Sequence, residues 1–239
     1  MKPKSKAVLP AILTAVAFLV FLLICFLLTD ITLEPVWELL VLFLLPTLVL
    51  LVLTILTRTG VIAPMMGNVL AVVLSVLFFM TSGTGFIFLG FRAAAQPLTD
   101  ITLYEKVLEK HGWPDAALIS QFPAEIPEAA ENVQFSYQPQ ILQGAGEHLL
   151  SFSLPDAAAR PYVEEWEKTA IWHGSLSKLQ SSPLSSYGVE YTVGQYVSAD
   201  AEVWVFLAAP YHPDSWNHGK LAVSARSSDG RTLVYSSEW

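Results

Sequence analysis

The sequence predicts an α+β protein in which a block of three transmembrane helices is followed by a soluble domain with a mainly antiparallel sheet and two to three helices. Three observations predict this class. Long apolar runs fill the first third of the chain, short alternating strand patterns fill much of the rest, and helices and strands are segregated. We therefore divide the 239 residues into a three-span transmembrane region, residues 1–92, and an α+β domain, residues 93–239.

The three apolar runs comprise residues 7–28, 35–56 and 61–91. A bilayer core about 30 Å thick requires about 20 apolar residues in a helix, because lipid offers the backbone no hydrogen bonds. The first two runs have this length. The second contains one acid, Glu38, in its first turn, where a helix favours a carboxylate and the headgroup region is close. Two simple spans are predicted here.

The third run is too long for one upright span, because each helical residue adds about 1.5 Å. Two alternatives account for the excess. In one, Pro64, Gly67 and Asn68 form a re-entrant or interfacial start before a span at 69–91. In the other, the span ends at Met80 and the Thr-Ser-Gly-Thr-Gly sequence that follows leaves the helix. Both alternatives cross the membrane once.

The positive charges in the short loops predict the orientation of the chain. Lys2, Lys4 and Lys6 precede the first span, and Arg58 lies between the second and third spans. Between the first and second spans there are only acids. Because lysine and arginine remain on the cytoplasmic side, we expect a multi-pass protein of the cell membrane with a cytoplasmic N-terminus. The C-terminal domain is then extracytoplasmic.

The soluble domain is strongly acidic. From residue 93 onward there are eight basic and eighteen acidic residues, which gives a net charge of −10. Such a domain is repelled by phosphate backbones, which argues against nucleic acid as a partner. The only cysteine, Cys25, lies in the first span, so the domain has no disulfide and no thiolate chemistry. The lipid bilayer is the expected partner, with other membrane or envelope proteins as candidates, and no cofactor is predicted.

Three helices are predicted in the soluble domain. The first occupies residues 101–111 and stops before Gly112, and a short second helix occupies residues 116–121. The third begins at Pro161, a residue suited to a first helical turn, and ends with Gly174 in a left-handed conformation.

Strands are predicted from alternating patterns. The last two strands flank the sequence Ser-Ser-Asp-Gly at 227–230, which has the turn chemistry of a hairpin. The predicted strands are residues 133–137, 149–154, 188–197, 201–208, 220–224 and 232–235.

One polar loop, residues 211–219, contains the candidate site residues. His212, Asp214 and His218 are of the types that bind zinc, so this loop is a candidate metal site. In the alternative interpretation, Asp214 and Asn217 bond to nearby backbone and Trp216 covers the sheet edge. Trp216, Asn217 and His218 are then the expected contact residues of a binding loop.

Several of these motifs occur together in a recognisable order. The segment Phe-Pro-Ala-Glu-Ile-Pro at 122–127 is followed by the strand at 133–137 and by Leu-Gln-Gly at 142–144, and Trp-Asn-His-Gly at 216–219 precedes a terminal hairpin ending in Trp239. In this order the domain resembles a family of uncharacterised membrane-anchored proteins of Gram-positive bacteria. The resemblance implies no activity, substrate or cofactor. It implies that the proline segment and the Trp-Asn-His-Gly loop are defining features.

Three functions are considered. The leading hypothesis is an integral membrane protein, not an enzyme, whose acidic outer domain binds or senses a partner or is associated with the envelope. The second is a metal-assisted hydrolase that uses His212, Asp214 and His218. The third is an accessory subunit of a membrane transporter, for which Glu38 has to face a polar interior.

Overall fold

The structure, a computed structural model, describes residues 7–33, 37–140, 145–184, 191–209 and 219–239. The chain divides into two compact units, Met1–Ala95 and Gln96–Trp239. In the described residues the first unit is helical, and the second contains a sheet with helices on it.

The first unit consists of three long helices, α1 (Val8–Thr32), α2 (Trp37–Thr59) and α3 (Pro64–Ala95). Each contains a segment long and apolar enough to cross a membrane. In α1 and α3 only 6% of the most apolar window is buried inside the protein, so most of this hydrocarbon surface is exposed. A bilayer is the solvent that suits such a surface, and the unit is the membrane-inserting part of the chain.

The third apolar run forms a single continuous helix, and neither predicted interruption is observed. Pro64 is its first residue, where the missing N–H costs no hydrogen bond. Within the Thr-Ser-Gly-Thr-Gly sequence, Thr81 and Thr84 donate their hydroxyl protons to the carbonyl oxygens four residues earlier, at 2.9 Å each. The two threonine hydroxyls are thus satisfied inside the helix, and they do not require the chain to leave it.

Small and hydroxyl-bearing residues hold the three helices together. The hydroxyl oxygens of Thr14 in α1 and Thr54 in α2 lie 3.1 Å apart. Gly67 of α3 lies against Thr57, where an added Cβ would be 2.3 Å from the threonine hydroxyl oxygen. Close backbone approach of this kind stabilises helix pairs in lipid, where no hydrophobic force acts between helices.

The second unit is built on six strands, all paired antiparallel, which confirms the predicted fold class. Their order across the sheet is β1-β2-β6-β5-β4-β3. The strands are β1 (Glu131–Gln138), β2 (Glu147–Ser153), β3 (Trp172–Ser175), β4 (Glu202–Ala209), β5 (Lys220–Arg226) and β6 (Thr232–Glu238).

The aliphatic face of the sheet, formed by Leu149, Val203, Val223 and Val234, packs against α6 (Leu176–Gln180) and residues 193–197. Along each strand, successive side chains point alternately to this face and to the opposite face, because a strand has a period of two residues. The aliphatic side chains bury almost all of their surface, so this face supplies one half of the core.

The aromatic face, on the other side, carries Trp204 and Tyr235. The ring of Trp166, from α5 (Asp156–Thr169), lies 5.3 Å from Trp204 and 5.2 Å from Tyr235. The ring of Tyr104, from α4 (Tyr104–Lys110), lies 5.6 Å from Phe135. Within the described part of the domain, helices therefore pack on both faces of the sheet.

α5 begins at Asp156, before the start predicted at Pro161, which lies inside the helix. The carboxylate of Asp156 favours the N-terminal turn and forms an ion pair with Arg160 at 3.0 Å. Asp156 also contacts Arg226 of β5, which holds the start of the helix on the sheet. These contacts outweigh the single hydrogen bond that Pro161 removes.

Three other local predictions were wrong. Residues 117–121 form turns instead of a second helix, and Trp113 donates its indole proton to the Phe122 carbonyl across them at 3.0 Å. Residues 191–193 are helical where a strand was predicted, and residues 188–190 lie outside the described ranges. Gly174 is not a left-handed stop but lies in β3, where an added Cβ would be 2.7 Å from the Trp172 ring.

Candidate site at the loop edge of the sheet

All of the predicted contact and metal-ligand residues fall in residues 210–218, outside the part of the chain that the structure describes. Their mutual geometry is therefore not described, and the predicted metal site and contact loop stay predictions. They are His212, Asp214, Trp216, Asn217 and His218.

The attachment of this loop is well defined at both ends. It leaves β4 after Ala209 and returns to β5 through Gly219, and Ala209 pairs in register with Lys220. Gly219 has φ = +79°, a conformation that glycine adopts without strain. The loop thus closes a β-hairpin whose two ends are fixed by the sheet.

The same end of the sheet, called here the loop edge, brings together the start of β2 and the ends of β4 and β6. Glu238 of β6 pairs with Leu221 of β5 on one side and with Glu147 of β2 on the other. The carboxylates of Glu147 and Glu238 therefore lie on paired residues of the neighbouring strands β2 and β6. This pair lies at the end of the sheet where the loop enters β5.

Glu147 lies in an unfavourable environment for a carboxylate. Burial raises the pKa of its carboxyl, a hydrogen bond with Thr192 acts in the opposite direction, and the charge of Glu238 raises it further. Its Oε1 atom is buried and has no hydrogen-bond partner. This carboxyl therefore accepts a proton, or a hydrogen bond from a bound group, more readily than an exposed glutamate does.

On the aromatic face, the neighbouring residue His148 is buried in a cluster of rings. It stacks on Trp239, with ring centroids 4.6 Å apart, and on Tyr137 at 5.1 Å. Its Nδ1 shares a hydrogen bond of 3.1 Å with the hydroxyl of Ser237, and its Nε2 is buried without a partner. The strand start thus sends Glu147 to one face and His148 to the other.

A second histidine, at the C-cap of α4, completes this cluster. His111 lies edge-on to His148 at 4.7 Å, and its Nε2 is 3.0 Å from the Tyr137 hydroxyl. Burial, helped by the proximity of His111, lowers the pKa of His148 to about 3. Burial and the charge of Lys110 lower the pKa of His111. Both shifts favour the neutral form of the rings at pH 7, and the rings pack as a buried aromatic cluster.

Ser175 and Lys178 match the S-x-x-K spacing of serine acyl-enzymes, in which a lysine activates a serine nucleophile. The Ser175 hydroxyl caps α6 by accepting the backbone N–H of Lys178 at 3.4 Å, and it lies 3.0 Å from the Ser177 hydroxyl. In this arrangement the hydroxyl is an N-cap acceptor.

Among the described residues no group of three histidine, cysteine or acidic side chains is close enough to hold a metal ion. Comparisons with protein-family models, with curated proteins and with solved structures each found no match.

Sequence reasoning missed Glu147, His148 and Trp239, because the predicted strand began at residue 149. Extending its period-two pattern back by two residues assigns Glu147 and His148 to opposite faces.

Proposed function

We propose that the chain is a multi-pass protein of the cell membrane whose acidic C-terminal domain lies on the outer side and acts as a binding or sensing domain. The observation that supports it most is the loop at 210–218, which joins two strands whose ends pair in register. Loops positioned by a rigid sheet are the usual location of contact residues. The residues we propose for contact are Trp216, Asn217 and His218.

The packing and charge of the domain restrict the partner. Both faces of the sheet are covered by helices and aromatic rings, so a partner meets the loop edge or another edge. Glu147 and Glu238 add negative charge at that edge, and the domain carries ten more acidic than basic residues. A protein surface or envelope component with basic groups fits this charge, whereas a nucleic acid does not.

A photo-crosslinking experiment in intact cells tests the binding proposal. We expect p-benzoylphenylalanine in place of Trp216 in the full chain to give a discrete covalent adduct with a partner, because Trp216 is placed in the contact loop. Ser228, an exposed residue in the turn between β5 and β6 at the opposite end of the sheet, provides the matched control position. Adducts at neither position, or the same adducts at both, would contradict the proposal.

The metal content of the purified full chain distinguishes the binding proposal from a metal-assisted hydrolase. A hydrolase that uses His212, Asp214 and His218 predicts stoichiometric zinc in the purified full chain, lost in the double variant His212→Ala and His218→Ala. The binding proposal predicts no such metal. For the transporter alternative, Glu38 has to face a polar interior, yet it is exposed in the first turn of α2.

The proposal agrees with the resemblance to uncharacterised membrane-anchored proteins, which assigns no activity. Membership of that family is itself part of the proposal, and the Trp-Asn-His-Gly loop is the motif that would carry it.

A further inference from the structure

A groove runs between the three membrane helices, with a volume of about 430 Å³. Its floor includes Leu50 and Pro46 of α2 and Ser82 of α3, all of them buried. Its rim includes Val16 of α1 and Phe79 of α3, which are 51% and 82% exposed. The groove is therefore a partly open channel with a buried floor and bulky apolar walls.

Contacts between the helices fix the groove on both sides. Below it, Leu50, Leu53 and Ala71 form a tightly packed layer beside the Thr14–Thr54 contact. On the other side, the rings of Phe43 and Phe86 join α2 to α3 with their centroids 6.1 Å apart. The groove thus belongs to the packed bundle and does not depend on a ligand to keep the helices apart.

The wall of the groove offers almost only hydrocarbon. Its two serines, Ser75 and Ser82, have hydroxyl oxygens that are buried and have no hydrogen-bond partner. Pro46 has no N–H to offer. Because both hydroxyl oxygens are buried, an occupant meets mainly hydrocarbon and gains dispersion contacts, which is the environment of a saturated or unsaturated chain.

The occupant is better explained as a lipid chain than as another helix. Membrane helices associate through small residues that let two backbones approach, and a helix with its side chains is about 10 Å across. Here the accessible rim consists of bulky residues such as Phe79, which hold a backbone away. The groove also lies within the three apolar segments, where lipid hydrocarbon surrounds the protein. We propose that it binds one acyl chain of a bilayer phospholipid.

Two glycines of α3 give a matched pair of variants. An added Cβ at Gly83, which lines the groove, meets nothing within 4 Å, and the same is true at Gly90, which does not line it. Gly83→Phe therefore adds bulk at the groove from a position whose Cβ meets no neighbour, and Gly90→Phe adds the same bulk elsewhere on the helix. Val76→Trp at the rim, with Val73→Trp as its control, gives a second pair that does not rely on glycine.

The test uses the full chain in phosphatidylglycerol vesicles containing phosphatidylglycerol with a diazirine at the middle of one acyl chain. We expect photolabelling to concentrate on peptides containing Val16 and Phe79. It should fall about fivefold or more in Gly83→Phe and Val76→Trp, because a filled groove loses its packing contacts with the chain. Gly90→Phe and Val73→Trp should label like the parent, and all variants should remain monodisperse.

Three results would overturn the proposal. Labelling spread evenly over all apolar surfaces, or unchanged by Gly83→Phe, would mean that the chain meets only ordinary boundary lipid. A second protein chain crosslinked to p-benzoylphenylalanine placed at position 79 would mean that a helix occupies the groove. Stronger displacement of the probe by a free fatty acid or a polyprenol than by phosphatidylglycerol would assign the site to a different lipid.

Discussion

Replacement of Trp204 by alanine is expected to lower the free energy of unfolding of the C-terminal domain by about 3 to 5 kcal/mol. Trp204 is 1% exposed, lies 5.3 Å from Trp166 and stacks on His173 at 4.6 Å. Removing it leaves a large cavity in the aromatic face, because the covering helix relaxes only partly. Urea unfolding of the full chain in detergent, followed by near-ultraviolet circular dichroism, measures the loss.

Two control variants make this result specific. Ile171→Ala removes an apolar side chain that is 63% exposed, so its effect should stay within about 0.5 kcal/mol. Trp204→Phe should cost less than Trp204→Ala, because it keeps a ring and removes an indole N–H that is buried without a partner. A cost of Trp204→Ala no larger than that of Ile171→Ala would contradict the packing of the aromatic face.

The second large effect is an acid-induced loss of stability that originates at His148. Its folded-state pKa of about 3 lies far below the unfolded value of about 6.5, so at intermediate pH the unfolded chain binds a proton that the folded chain does not. Stability is therefore lost as the pH falls from 6.5 toward 3. Between pH 7 and pH 5 the expected loss from this residue is about 2 kcal/mol, measured by urea unfolding at each pH.

Neighbouring groups also change how stability depends on pH, in directions that follow from their pKa shifts. His111, whose pKa is also lowered, adds to the loss at acid pH. Glu147, whose pKa is raised, opposes it, because its folded state takes up a proton more readily than its unfolded state. His148→Phe should remove most of the loss of stability between pH 7 and pH 5. An unchanged slope in His148→Phe would contradict the buried, neutral ring.

The sequence was sufficient to predict those elements whose ends are determined by contacts between residues close together in the chain. The predicted helix at 101–111 appears as a short 3₁₀ turn and α4, and Asp100 caps it by accepting the Thr102 N–H at 2.9 Å. The stop at Gly112 and the turn at Gly230 have the positive φ that glycine allows, +82° and +74°. Three apolar helices also followed from composition alone.

Elements that depend on distant contacts were not predictable in this way. α6 was not predicted, because a helix of five residues gives too short an apolar pattern, but Leu176 and Leu179 pack on the aliphatic face. The helix starts at Asp156 partly through its contact with Arg226, 70 residues away. Glu147 and His148 acquire their environments only when β6 pairs beside β2, so the period-two pattern assigns their faces but does not indicate their partners.

Every proposal about partners of the C-terminal domain depends on the orientation of the chain in the membrane. Cysteine labelling tests this orientation most directly. The chain has one cysteine, Cys25, so Cys25→Ser gives a background free of thiols. Ser228→Cys then marks the C-terminal domain, and Val61→Cys marks the connection between α2 and α3. With a membrane-impermeant maleimide on intact cells, we predict labelling at position 228 and, at position 61, only after lysis. Labelling at position 61 but not at 228 in intact cells would show that the domain lies in the cytoplasm.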